Sequence, residues 1–594
     1  MTGAPTPAGR FGGDPRGAAV FALAALTRTA LLVATASPPA RFRLDVNNYL
    51  ELALNLFRDG SYGSRVSTDY PPLYPMFIAP AFAIDSNSLR FAAIYGLHGL
   101  VLALATLSLF PMLRSAVGAR SAWLSLAAAQ LLLGATYHAM STRSEVLFTA
   151  LLCFATAAVW AAFRSDRART WALVGFVAGL AIACRRTALV VPVAVGIVVF
   201  VEAFATRPLG DGVKTVLRRA VPLGLGLAVG LLPEAIATWI HGGSIETYHR
   251  GVVGSHLSPF TRMWATRARM WLAVQTGLRQ PIYQLVVFGA APLVLAATLL
   301  SRAQIRRLPR PLAAASGFTL LVGLGLAAMS ALHILRYAYG NPEAHPFHLY
   351  PRYMDPIETA MVLSAVGVAG ALWRLTGDAS RREELRTLLV PWILPLGILT
   401  WISGAAWRVR GGRFAPRWYF EDTLMHPHYH VLLMLGALGM LVAVLAWWSL
   451  GKYGTAWTVV GVVALGWATS MHVVLRPDRF VGEGLPPLPV LLSEPAIASP
   501  EAPIAVPVRR RAFNPRELYA PAWRTDHPIF WPQLRELPTW LADHPDGFVI
   551  TRRWEPDPGH RLGLELVAAE GDWRLWAPRG REVPDLSNLL ELDR

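Results

Sequence analysis

Charge is what this chain has least of. Only 16% of its 594 residues are charged, against about 25% in a soluble protein. Lysine is nearly missing, with Lys214 and Lys452 alone. Cysteine is as rare: Cys153 and Cys184 both fall inside apolar runs. Neither sits in a CxxC or zinc-type spacing, so they read as small buried hydrophobes rather than as a disulfide or metal framework. No internal repeat is visible, which argues against a repeat-built transporter. No cleavable signal peptide is expected either. The first apolar run, 17–37, is flanked by Arg10 and Arg16, lacks a small-residue cleavage site and reads as a signal anchor.

Apolar sequence is what fills the chain. Hydrophobic residues make up 54% of it, and the mean hydropathy is +0.39. Stretches of about 20 apolar residues, long enough to cross a bilayer, recur along most of the sequence. About thirteen spans are expected by that length criterion, near 17–37, 89–113, 119–139, 145–163, 170–184, 187–205, 219–240, 282–301, 312–332, 354–373, 387–406, 429–449 and 455–474. The net charge of +17 comes almost wholly from arginine. Arginines cluster in alternate short loops, such as Arg164, Arg167 and Arg169, or Arg302, Arg306, Arg307 and Arg310. That is the positive-inside pattern of a membrane protein, not a nucleic-acid surface, and no nucleic-acid partner is expected. It places the N-terminus in the cytoplasm. It puts 38–88, the turn near Ser141–Glu145, 241–281, 333–353 and 407–428 outside, together with the tail after Arg476. Membrane lipids are the default neighbours of such a chain.

The tail changes character. Residues 476–508 are proline-rich and read as a linker. Residues 509–594 read as a small extracytoplasmic α/β domain. In it a helix is expected over Trp531–Asp543, a strand at Gly547–Thr551, and a hairpin of Leu562–Ala569 and Trp573–Ala577. The preceding 1–475 form an all-α polytopic module, with 38–88 as its first external loop.

Ionisable residues at a membrane face are functional suspects by default. Asp45 stands just after the first span, ahead of the helix-like run Val46–Phe57. As a carboxylate it could take the proton of an attacking hydroxyl; it could equally cap the helix that follows it. Glu145 opens a later span, where the helix dipole favours a carboxylate in any case. Arginine suits a lipid phosphate, because its fork matches phosphate oxygens and it stays charged. External candidates are Arg336, Arg352, Arg408, Arg410, Arg413 and Arg417, with Arg185 and Arg186 at a span end. Tyr49, Tyr70, Tyr74, Tyr350 and Tyr353 could pack sugar rings or form an aromatic belt. His426, His428 and His430 alternate at a span mouth, and His426 and His430 would share a helix face as a metal pair.

The order of these features resembles one known family. Asp45 and Tyr49 are followed by Gly60-Ser-Tyr-Gly63 and Pro71-Pro72-Leu-Tyr74-Pro75. Ser144-Glu145 comes next, then Gly175-x3-Gly179-Leu-Ala leading to Arg185, and then Pro351-Arg352-Tyr353. Together, over roughly residues 17–375, they resemble the GT-C superfamily glycosyltransferases, which include protein O-mannosyltransferases and lipid A aminoarabinose transferases. The resemblance implies a GT-C type membrane fold and an inverting transfer of a sugar from a polyprenyl-phosphate carrier to a hydroxyl acceptor. That acceptor would be a glycan, a lipid or a protein, at the outer face of the bacterial plasma (inner) membrane. It implies Asp45 as general base and Glu145 as the second acidic residue near the pocket, orienting the acceptor or holding a divalent metal. It also implies substrate-binding roles for Tyr49, Tyr74, Arg185, Arg352 and Tyr353. The resemblance implies no certain cofactor and leaves room for a divalent metal. The competing expectation is a transporter or lipid flippase, which would carry charged or broken helices near the bilayer midplane.

Overall fold

The computed structural model describes residues 14–34, 36, 44–62, 70–130, 132, 138–139, 142–241, 258–288, 291–338, 351–375, 504–505, 529–530, 536–552, 562–570 and 573–579. The chain divides into two compact units. One comprises Met1–Leu32, Asp69–Phe77 and Tyr95–Leu475, and the other Val33–Thr68, Ile78–Ile94 and Arg476–Arg594.

Helices dominate both. In chain order they are α1 (Pro15–Ala34), α2 (Leu44–Asp59), α3 (Leu73–Ile78), α4 (Asn87–Ser108), α5 (Phe110–Val117) and α6 (Ala119–Ala129). Then come α7 (Glu145–Ser165), α8 (Ala168–Cys184), α9 (Val190–Thr206), α10 (Leu209–Gly230) and α11 (Leu232–His241). The rest of the bundle is α12 (Arg267–Val287), α13 (Ala291–Leu300), α14 (Arg302–Arg307), α15 (Arg310–Ala338), α16 (Pro351–Met354) and α17 (Glu358–Leu375). Among the described residues, 7 helical stretches are long and apolar enough to cross a membrane. The chain is a multi-pass membrane protein. The expected spans at 387–406, 429–449 and 455–474 lie outside the described residues.

α7 is the central post of the first unit. It is almost completely buried along its length, from Glu145 through Phe163. α8 packs beside it and then meets α10 at unusually short range. Gly175 and Gly179 on α8 face Gly226 and Gly230 on α10, and each helix's backbone takes the place of a side chain. A Cβ on Gly226 would strike the Ala172 carbonyl, and one on Gly175 the Leu223 carbonyl. The opposite row of α10, Val213, Leu217, Val221, Leu225 and Val229, is exposed in the i, i+4 pattern of a lipid-facing stripe. Small residues at such a contact let the backbones approach and gain dispersion energy where no hydrophobic effect separates helix from lipid. Gly226→Val should therefore destabilise the purified protein by about 3 kcal/mol or more, since backbone cannot yield as a side chain can. Thermal unfolding in detergent reads the effect, and a melting temperature equal to wild type would refute the close packing.

One end of this unit is tied by ions. Asp166, in the left-handed conformation (φ 49°), ends α7. Its carboxylate accepts from Arg219 Nε at 2.9 Å, Arg218 at 2.5 Å and Trp171 Nε1 at 3.0 Å. Glu202 on α9 pairs with Arg219 at 2.5 Å and with Arg310 at the start of α15 at 2.7 Å. Arginines from loops that the charge pattern assigned to one membrane face thus meet around two carboxylates. Burial by itself would raise the Asp166 carboxyl. The hydrogen bonds from Arg219 and Trp171 and the charges of Arg219 and Arg218 outweigh it and hold the group down to about 2, from an ordinary 3.8. A depressed carboxylate stabilises the fold above its unfolded value and loses that contribution as pH falls through its folded value. The melting temperature should therefore drop between about pH 4 and pH 2 more steeply in wild type than in Asp166→Asn. Parallel pH profiles for the two proteins would count against the clamp.

α12 extends further toward the N-terminus than expected. Residues 241–281 were assigned to an external segment, with a span from 282, yet the helix begins at Arg267. Arg267, Arg269, Gln280 and Gln284 lower its hydropathy without preventing helix formation. Buried polar contacts explain its place: Ser330 Oγ donates to Gln280 Oε1 at 2.8 Å, and Gln284 Nε2 donates to the Gly323 carbonyl at 2.9 Å. Such hydrogen bonds fasten helices within a bundle.

In the second unit α2 is amphipathic, burying Asn48, Tyr49, Leu50, Leu52 and Ala53. It ends at Asp59, where Gly60 turns the chain at φ +60°, a conformation glycine adopts without a Cβ penalty. The C-terminal part carries a five-stranded sheet: β1 (Ile504–Ala505), β2 (Ile529–Phe530), β3 (Phe548–Arg552), β4 (Leu564–Glu570) and β5 (Trp573–Pro578), in the order β2-β1-β3-β5-β4. β1 runs parallel to β2 and β3, while β5 runs antiparallel to β3 and β4. The β4–β5 hairpin matches the expected one. The helix α18 covers Leu537–Asp543 of the expected Trp531–Asp543, of which 531–535 lie outside the described residues, and Ile504–Ala505 joins the sheet from within the proline-rich stretch. Ala505, Leu537, Trp540, Val549, Leu564 and Trp576 form the core.

Candidate active site

The end of α7 opposite Asp166 gathers the polar residues of the first unit. Ser144 precedes α7, and Glu145 occupies its first turn, where the positive end of the helix dipole favours a carboxylate. α8 runs back toward that point and stops there, because Arg185 takes an extended backbone (φ −158°, ψ 130°) before a 3₁₀ turn over Arg186–Leu189. Cys184 Sγ reaches the Ser144 carbonyl at 3.5 Å and holds the two helix ends together. The consequence is an ion pair: Arg185 Nη1 lies 2.8 Å from Glu145 Oε1. Glu145 is 0% exposed and Arg185 7%.

A third element completes the group. Pro351 starts the short α16, and Pro356 diverts the chain after Asp355 into a 3₁₀ turn before α17. Tyr353 thereby lies under Arg185, with the guanidinium carbon 5.0 Å from the ring centroid. A cation over a tyrosine face is attracted by the ring quadrupole. The Tyr353 hydroxyl is 3.3 Å from His333 Nδ1 on α15, and their rings meet at a tilt of 50° with centroids 5.1 Å apart. Asp355 is buried and meets His138 Nε2 at 3.2 Å. Arg143 and Arg185 both act electrostatically on His138.

A second buried hydrogen-bonded chain adjoins His138. His98 Nδ1 is 2.9 Å from the carbonyl of Ala139, and its Nε2 is 3.1 Å from the Tyr74 hydroxyl. A carbonyl can only accept, so Nδ1 carries the proton and Nε2 accepts from the phenol. Tyr74 and His98 are both fully buried.

Of the residues expected at a site, Glu145, Arg185 and Tyr353 are brought together, and Tyr74 lies in the same unit through His98. Asp45 and Tyr49 stand on α2 of the other unit, Tyr49 buried and Asp45 within the first turn. Asp45 is inside the helix, one residue after its first, and does not precede it as an N-cap would. The side chains of Asp45 and Arg352 lie outside the described residues, as do Arg408–Arg417 and the His426, His428 and His430 row. Sequence reasoning missed His98, His138, His333 and Asp355. Asp355 alone left a trace, two residues after Tyr353 and directly before Pro356. Among the described residues no three His, Cys, Asp or Glu side chains converge as metal ligands. Glu145 is instead engaged by a guanidinium, so no metal step is derived.

Chemically, the cluster suits the handling of an anion. Arg185 presents a fixed cation whose orientation is set by a carboxylate on one side and an aromatic face on the other. Removing either member of that pair would strand the other's buried charge.

The sequence of residues 69–221 matches the family model described as dolichyl-phosphate-mannose-protein mannosyltransferase. No curated protein matches the chain in sequence. Its fold is similar to that of ArnT from Cupriavidus metallidurans. The apo structure matches with a TM-score of 0.50 at 14% identity, covering 94% of this chain and 97% of that one. The structure bound to undecaprenyl phosphate matches with a TM-score of 0.50 at 17% identity and the same coverage. This chain is a multi-pass membrane protein with the GT-C fold, similar to the glycosyltransferases of that superfamily.

Proposed function

We propose that this protein is an inverting glycosyltransferase that moves a sugar from a polyprenyl-phosphate carrier to a hydroxyl acceptor at the outer face of a bacterial plasma membrane. The observation that carries the proposal is the buried Glu145–Arg185–Tyr353 group at one end of α7, in a chain of GT-C fold that carries Asp45 in the first turn of α2. The acceptor hydroxyl gives its proton to Asp45. The oxygen attacks the anomeric carbon on the face away from the phosphate, the carbon–oxygen bond to phosphate breaks, and the polyprenyl phosphate departs with the electron pair. Arg185, with Arg352 as a second cation, opposes the charge that develops on the leaving phosphate. Fixed donors of this kind act most strongly where water is excluded. Glu145 holds Arg185 in place, while Tyr49, Tyr74 and Tyr353 border the substrate. The C-terminal sheet domain lies outside the cell with the acceptor.

The transfer reaction is tested by mass spectrometry of cell-envelope glycans from cells with and without the protein. One sugar substituent should vanish, and its polyprenyl-phosphate donor should accumulate. Unchanged glycans, together with lipid flux through protein-containing liposomes lacking sugar donor, would replace the enzyme with the flippase.

A further inference from the structure

Arg28 is a guanidinium within the apolar helix α1, and it is only 4% exposed. Its Nη1 donates to the backbone carbonyl of Gln130 at 3.3 Å, at the C-terminal cap of α6. Its Nε and Nη2 have no hydrogen-bond partner. Gln130 is fully buried beside it. Its Nε2 is 3.4 Å from the Leu126 carbonyl, while its Oε1 has no donor. Among the described residues no carboxylate pairs with Arg28. Cys153, on the buried length of α7, is within its electrostatic reach.

The negative end of α6 accounts for the single Nη1 contact. It leaves three N–H groups of a buried cation unanswered. An uncompensated buried charge is strongly destabilising, and each unpaired buried donor adds to the penalty. Leucine or methionine would fill the same space on a membrane helix without that cost. A donor-only group needs an acceptor of opposite charge, and the guanidinium fork matches phosphate oxygens. Gln130 Oε1 needs a donor, which a phosphomonoester supplies through its remaining hydroxyl near its second pKa of about 6. Depth decides the carrier of that phosphate. At 1.5 Å per residue Arg28 is about 20 Å from the start of α1 and about 9 Å from its far end. A lipid headgroup can sink that distance while its tails stay in the bilayer.

The geometry points to an intramembrane phosphate site made by Arg28 and Gln130, whose ligand is the phosphate of a lipid headgroup. It stands on these two residues alone and is independent of the transfer reaction.

The test uses the full-length protein, purified and stripped of lipid in detergent. Melting temperatures are measured alone and with added phosphatidic acid, phosphatidylcholine or inorganic phosphate. Wild type should rise by about 5–10 °C with saturating phosphatidic acid and hardly at all with phosphatidylcholine. Arg28→Met should melt at or above the lipid-free wild type and gain nothing from phosphatidic acid, whereas Arg28→Lys should keep part of the gain. An equal, Arg28-dependent gain with inorganic phosphate would support the site with free phosphate as its ligand. Equal gains in wild type and Arg28→Met, or no gain in either, would overturn it. Should Arg28→Met not fold, native mass spectrometry compares wild type with Gln130→Met: fewer retained phosphatidic acid molecules in the variant supports the site, and equal numbers overturn it.

Discussion

Asp45→Asn should lower the rate of sugar transfer by about 10³-fold, while the protein remains folded and still binds its carrier lipid. General-base catalysis is worth about 10²–10⁴-fold, and an amide of the same shape cannot accept the acceptor's proton. The loss should fall on kcat, because the amide occupies the same volume and leaves carrier binding intact. Structurally the change is mild. Asp45 lies in the first turn of α2, where exchanging a carboxylate for an amide costs about 0.3–1 kcal/mol of helix-dipole stabilisation. Stability and catalysis therefore separate cleanly. A purified Asp45→Asn protein that turns over within a few-fold of wild type would remove this carboxylate from the chemistry.

The second large effect belongs to the buried ion pair. Glu145→Ala or Arg185→Ala leaves its partner charged in a site with almost no solvent contact. Breaking such a pair from one side costs about 3–5 kcal/mol. Arg185→Ala also loses the cation over the Tyr353 ring, worth about 1–2 kcal/mol where desolvated. The double variant Glu145→Gln/Arg185→Met removes both charges together and should recover at least half of the lost stability, because neither desolvation penalty remains. Transfer should stay low in the double variant, since the cation proposed to oppose the leaving phosphate is gone. Thermal unfolding and a transfer assay on the same four proteins decide the matter. Additive losses in the double variant would show that the two side chains do not act as a pair.

The residues of the cluster differ in how visible they were. Glu145 announced itself as a carboxylate at the mouth of an apolar run, and Arg185 and Tyr353 as members of ordered motifs. Their partners carried no such mark. His138 and Asp355 are separated by 217 positions, and His98 meets Ala139 across 41. No local pattern encodes a contact between residues so far apart. The glycines show the same asymmetry: Gly175 and Gly179 stood out as a repeat, but nothing local names Gly226 and Gly230 as the surface they meet. Arg28 escaped because a single arginine barely moves the hydropathy of a 20-residue helix. α12 is only partly legible for the opposite reason, since arginines and glutamines lower its hydropathy while Gln280 and Gln284 are hydrogen-bonded to α15.

Composition, run length and loop charge were enough to settle that this chain lives in a membrane, roughly where most of its apolar helices before residue 375 fall, and which ionisable groups sit at several of their ends. Those are local consequences of hydrophobic transfer and helix geometry. Which charges neutralise one another, which helices touch through bare backbone, and which buried cation is left waiting for an anion were decided only when the helices packed. Each of those outcomes depends on distances between residues far apart in the chain, and such distances exist only in the folded molecule.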